Sequence, residues 1–266
     1  MLLTMFTICV VLFLYLHVAY QFKTSNDLEV YELDRPEKAK LEEVCNLRQP
    51  CTFPYWNEEF ESLLPENFMY DDFEVNVEDD ARTAMPLTVG KAKRLFKKSH
   101  YHTERNDEFL AETMLARVFE KNDHMFRPPM VSSIRYDLLF GGENATTKLR
   151  YTDNFRNYFM VLQGEVTVKL APPRSSKRLE EVKDYVNQDY HSMVDAWTVS
   201  KVKFLETPLS KGQVLFVPAY WWHSIKLGKG ACVACFYYKT VMNVVATIPS
   251  YVIGMVQRQH TRILKI

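Results

Sequence analysis

The chain is short of glycine and has no excess charge of either sign. Its 266 residues include 8 Gly, 12 Pro and 5 Cys, and 33 Lys and Arg stand against 33 Asp and Glu. So little glycine excludes a collagenous or low-complexity chain. Five cysteines over this length are too sparse for a disulfide-built scaffold, so a hydrophobic core must carry the fold. The even charge balance argues against nucleic-acid binding through a domain-wide positive field, and no nucleic-acid partner is expected. What the sequence does have is apolar: 47% of residues are hydrophobic and 14% aromatic, ample for one domain.

Charge is absent altogether from residues 1–22, MLLTMFTICVVLFLYLHVAYQF, where only Thr4, Thr7, His17 and Gln21 interrupt the apolar run. About 20 mainly apolar residues in a helix cross a bilayer core. A cleaved signal peptide usually has a basic start and a small-residue cleavage site, and neither is clear here. The reading is therefore an uncleaved single-pass anchor with the membrane as partner; a cleaved signal or a buried core helix are the alternatives. Lys23, Arg35, Lys38 and Lys40 follow the run and no Lys or Arg precedes it, which favours a cytoplasmic domain. Asn144-Ala145-Thr146 is a glycosylation sequon, meaningful only in a secretory lumen, and points the other way. Cys45 and Cys51 can pair or stay free.

Residues 23–40 are polar and charged and read as a stalk. Residues 41–130 read as the helical and loop part of the domain, with Pro50, Pro54 and Pro65 breaking any long helix. LTVGKAKRLFKK, residues 87–98, predicts a short amphipathic helix with a basic face. FLAETMLARVF, residues 109–119, predicts a second helix. After Pro128-Pro129 the pattern changes to short apolar and β-branched runs. In residues 165–170 Val166, Val168 and Leu170 alternate with Glu165, Thr167 and Lys169, the period of a strand. Residues 131–240 thus predict a jelly-roll type of barrel. Residues 174–201 form a polar insertion, too charged for core. Residues 241–266 predict a terminal helix packed on the barrel, the alternative being a membrane-surface element; Pro249 and Gly254 leave its apolar stretches too short to span.

The order RYDLLFGGENATTKLRYTDNFRNYFMVLQGEVTVKLAPP, then LSKGQVLFVPAYWWHSI, then ACVACFYYK resembles the cupin-like JmjC domain over about residues 136–239. Its most specific piece is GQVLFVPAYWWHSI, a turn at Lys211-Gly212, a buried strand, and two tryptophans and a histidine expected to point inward. The whole chain is also similar to membrane-anchored cupin-like proteins of large DNA viruses. The resemblance implies a mainly β fold with flanking helices, a double-stranded β-helix behind one N-terminal transmembrane helix. It also implies the chemistry of Fe(II)- and 2-oxoglutarate-dependent hydroxylases and demethylases.

Such oxygenases hold iron with two His and one carboxylate. The first His and the carboxylate lie two residues apart, a spacing that puts both on one face of a strand. Matching Asn157-Tyr158-Phe159 and the Gln163-Gly164 turn places Tyr151-Thr152-Asp153 at that motif. Asp153 then matches the carboxylate and His223 the second His, while Tyr151 stands at the first. A phenol, with a pKa of about 10, is a poor neutral substitute for imidazole on Fe(II), though tyrosinate binds ferric iron.

The positions implied for 2-oxoglutarate fare worse. Val166 stands where the anchoring Lys is expected, Lys148 replaces a Thr and Cys235 an Asn; Asn157 alone matches. The expectation is a degenerate site without a cofactor, with Fe(II) and 2-oxoglutarate bound only under the alternative. Lys148 or Arg150 could supply the missing positive charge; otherwise Asp153 is expected to pair with Arg150 or Arg156. The barrel is expected to close around Tyr151, Asp153 and His223, with the Tyr151 hydroxyl bonded to one of the others.

Weaker candidates read as structural. Cys232 and Cys235, three apart on a strand, face opposite ways. His100 and His102 read as solvated surface. Phe155, Tyr158, Phe159, Trp221 and Trp222 could line a pocket, but aromatics fill barrels by default. Two functions survive: a non-catalytic membrane-tethered module presenting its surface to an unknown protein partner, and an atypical metal oxygenase.

Overall fold

The computed structural model describes residues 1–67, 69–78, 84–97, 100–199 and 201–263. Lys98, Ser200 and residues 264–266, parts of the expected basic helix, insertion and terminal segment, lie outside the described residues.

The uncharged run folds as one helix, α1 (Leu2–Gln21), and none of its most apolar stretch is buried. Its end docks: Gln21 is buried and the Phe22 ring stacks on Tyr220 with centroids 6.4 Å apart. Residues 23–40 contain β1 (Tyr31–Glu32) and lead into α2 (Lys38–Asn46) and β2 (Cys51–Pro54). β1 pairs in parallel with β2, and the Gln49 amide donates to the carbonyls of Asp27 and Glu29, so the polar segment is tied to the domain.

Next come β3 (Glu74–Glu78), β4 (Ala84–Thr88), α3 (Val89–Phe96), β5 (His102–Thr103), α4 (Asp107–Glu112) and α5 (Ala116–Asn122). The basic helix is shorter than expected because Leu87 is in β4, opposite Val75. The helix expected over residues 109–119 is two. The Thr113 hydroxyl bonds back to the Phe109 carbonyl and Met114 takes φ +58, the left-handed conformation that ends helices.

The barrel follows as β6 (Val131–Phe140), β7 (Arg150–Tyr151), β8 (Arg156–Gln163), β9 (Glu165–Ala171), β10 (Glu181–Asp184), β11 (Asp189–Ser192), β12 (Leu205–Ser210), β13 (Gln213–Pro218), β14 (Trp222–Leu227) and β15 (Cys232–Thr240), closed by α6 (Val241–Ile263). One six-stranded sheet has the order β1-β2-β13-β8-β15-β6 and the other β10-β11-β7-β14-β9-β12, with a small β4-β3-β5 sheet beside them. This is the double-stranded β-helix, mainly β with flanking helices. The β8–β9 turn needs Gly164: its φ is +70, and a Cβ there would lie 2.9 Å from the Ala231 Cα. The insertion is less polar than expected, since β10 and β11 extend the second sheet and bury Leu179 and Tyr190.

Period-two alternation sorts the strands' side chains into separate cores. Val161, Val168, Leu215, Ile225 and Val233 meet between the two sheets. Tyr158, Met160, Phe216 and Phe236 face the other way, against Phe53, Phe60, Phe119 and Phe126. Leu149, Tyr151, Tyr190 and Trp222 pack together on the outer side of the second sheet.

Candidate functional site

Sidedness on β7 and β14 decides what stands inside the barrel. Trp221 and His223 are two apart, and His223 lies on the inner core with its ring 5.2 Å from that of Phe159. Trp222 faces the opposite way, into the outer cluster, so the two tryptophans do not both point inward. The Cα partner of His223 on β7 is Arg150. Directly opposed residues share a sheet face, so Arg150 holds the inward position beside His223.

Tyr151 therefore points outward. Its ring stacks on Tyr190 at 5.1 Å, meets Trp222 edge-on at 4.9 Å, and its hydroxyl donates to the Glu181 carboxylate. The expected bond to Asp153 or His223 is not formed, because the ladder to β14 sets Arg150 opposite His223 and turns Tyr151 to the outer face. Tyr151 instead lines an outer cavity of about 290 Å³ with Phe22, Thr24 and Tyr220. Burial and the adjacent Glu181 push its phenol pKa far up, so it stays protonated.

Asp153 is buried and paired with Lys239 on β15, Oδ1 to Nζ 2.8 Å, and its backbone carbonyl accepts from Asn243 of α6. Neither expected partner reaches it: Arg150 pairs with Glu104, and Arg156 is bidentate to Glu42. Burial alone would lower the Lys239 pKa, but Asp153 beside it holds it above its ordinary value. Asn157 is fully buried with its amide satisfied: Oδ1 accepts from Thr152 and Asn154, and Nδ2 donates to the Val217 carbonyl. Val166 and Cys235 belong to the apolar interior, where the resemblance implied polar groups.

His223 itself is neutral. Its pKa is pushed down to about 3, first by burial and then by the Arg150 guanidinium. Nδ1 lies 3.2 Å from the Trp221 carbonyl, while Nε2 has no hydrogen-bond partner among the described residues. A neutral imidazole facing a guanidinium, a carboxylate neutralised by Lys239 and a phenol turned outward do not fit the ligand set of an Fe(II) oxygenase.

A second cluster lies where the sequence reading expected solvated surface. Glu78 of β3 is the Cα partner of His102 of β5, and Glu104 follows two residues on. Each of the three is 3% exposed, and one ligand atom from each falls within 4.8 Å of the others, close enough to hold a metal ion. Glu104 links this group to the barrel: one oxygen takes the Arg150 ion pair and the other lies 3.7 Å from His102 Nε2. Among the described residues, the second carboxylate oxygens of Glu78 and Glu104 have no hydrogen-bond partner. The signal was present as His102-x-Glu104, a spacing that puts both side chains on one strand face. His100, by contrast, is exposed and bonds the Glu143 carbonyl at 2.7 Å.

Other candidates separate. Cys232 and Cys235 fall in different cores, as their spacing requires, and Cys45 and Cys51 are buried free thiols. The proposed aromatic lining divides likewise: Phe159 and Trp221 are interior, Tyr158 and Trp222 lie on two outer faces, and Phe155 sits under the Arg48 guanidinium at 4.3 Å.

A closed two-sheet barrel with an inward histidine on β14 defines a cupin-like protein. The family model of the cupin-like domain matches residues 55–243, and the chain belongs to that family. No curated protein matches the chain.

Proposed function

We propose that the chain is a membrane-tethered, non-catalytic cupin-like module whose barrel is a rigid scaffold for a protein partner. The observation that carries this reading is Arg150. A guanidinium, neutralised by Glu104, occupies the inward position opposite His223, the one histidine that matches the oxygenase ligand set. A fixed cation there repels a second cation and depresses His223 without needing any bound ion. The anchor supports the tethering: α1 is long and apolar enough to cross a bilayer. Lys23 and the basic residues after it favour a cytoplasmic domain. The resemblance to membrane proteins of large DNA viruses is what supports a virion or host membrane as the setting.

A second reading, a metal-dependent oxygenase, has the Glu78–His102–Glu104 cluster in its favour, since two carboxylates and an imidazole suit a divalent ion. Metal analysis of the purified full chain in detergent, with assay of 2-oxoglutarate turnover, separates the two. The scaffold reading expects no stoichiometric iron and no turnover. Turnover lost in Asp153→Ala and His223→Ala would establish an oxygenase at the barrel centre. Turnover lost in His102→Ala but kept in His223→Ala would place the chemistry at the second cluster.

A further inference from the structure

Helix α6 is amphipathic with its faces reversed. The residues it turns to the domain are small or polar: Asn243, Ala246, Thr247 and Gly254 are buried. The contacts they make are specific. Asn243 donates to the Asp153 carbonyl, Tyr251 meets the Lys239 ammonium at 3.1 Å, and Gly254 lets the helix approach the Tyr185 carbonyl so closely that any Cβ would collide. The opposite face is apolar and exposed: Val245, Ile248, Val252, Met255 and Val256 recur at helical spacing, with Ile248 49% and Val252 51% exposed. A water-facing helix has the reverse pattern, and a continuous exposed apolar stripe marks an interaction surface.

What covers the stripe follows from its neighbour. α6 packs against α1, the apolar helix whose own surface is exposed along the stretch fit to cross a bilayer. In sequence, Arg262 and Lys265 follow the stripe, the charge that anionic headgroups attract. We propose that α6 lies in the membrane interface, its Val245–Ile248–Val252–Val256 stripe sunk into the lipid bordering α1. The bilayer then holds the barrel against its surface at two elements and fixes the orientation of the domain. This rests on the membrane reading of α1.

Spin labels test both parts separately. The full chain carries Cys9→Ser, leaving only buried cysteines, and single labels are placed at Ile248→Cys, Val252→Cys, Leu12→Cys in the anchor and Met69→Cys, a 97% exposed control. It is reconstituted into phosphatidylcholine vesicles containing phosphatidylserine. Relaxation by oxygen relative to a water-soluble nickel chelate is expected several-fold higher at 248 and 252 than at 69, and higher still at 12. Nickel access at 248 and 252 equal to that at 69, with 12 still deep, overturns the inference and leaves the anchor standing. Nickel access at all of them overturns both. Dipolar broadening between labels at 248 or 252 that persists in the vesicles gives the stripe to a second copy of the chain and overturns lipid as its occupant.

Discussion

Arg150 and His223 are Cα partners across β7 and β14, and both side chains take the inner face of the barrel. This pairing makes the cupin centre a place where one charge is fixed by Glu104 and the other group is kept neutral.

The first consequence concerns pH. Unfolded, His223 titrates near the ordinary value of about 6.5; folded, it is pushed down to about 3. The folded state therefore binds fewer protons between those values. Stability from the neutral ring is fully present above about pH 6.5 and is lost as pH falls towards 3, by at most about 1.4 kcal/mol per pH unit. Chemical denaturation between pH 7 and 4 should show a shallower loss for His223→Leu than for the natural chain. Parallel profiles would mean that His223 does not carry the effect.

In the Arg150–Glu104 pair the carboxylate is buried and the guanidinium 14% exposed, so removing Arg150 strands a buried charge. Arg150→Ala should destabilise by about 3–5 kcal/mol, whereas Arg150→Met with Glu104→Gln should recover a large part of that. A double-mutant cycle by urea denaturation measures the coupling, and additive effects would show that the two groups act independently.

Asp153 is assigned a structural part with Lys239 and α6. Asp153→Ala should cost about 3 kcal/mol, and Asp153→Ala with Lys239→Met should be milder than Asp153→Ala alone. Thermal melting in detergent reads this directly. A double variant no more stable than the single one would argue against the pair.

Gly254→Val should lift the C-terminal half of α6 from the Tyr185 carbonyl without unfolding the barrel. Limited proteolysis should then cut within residues 250–263 well before the barrel. Unchanged protection would mean that the approach at Gly254 is not needed.

Much of the fold was readable because the barrel obeys simple periods. Val166, Val168 and Leu170 alternate with charged or polar residues and do line the interior, and the spacing of Cys232 and Cys235 told that they face apart. The uncharged first segment is a single helix. The centre was harder, because a one-residue phase error moves a strand side chain to the other face. The motif match set Tyr151 inward, but β7 is only two residues long and its phase is set by the ladder to His223, a long-range pairing with no local signature. Lys239 as the partner of Asp153 is likewise 86 residues away. Glu78 joins His102 only through the β3–β5 pairing. The break at Met114 was hidden because the apolar spacing continues across it.

We propose that Arg150 and Glu104 leave no place for iron beside His223. Anaerobic calorimetric titration of Fe(II) into the full chain in detergent, with 2-oxoglutarate present, tests it most directly. The account predicts no saturable equimolar binding that depends on His223; equimolar binding that disappears in His223→Ala would contradict it.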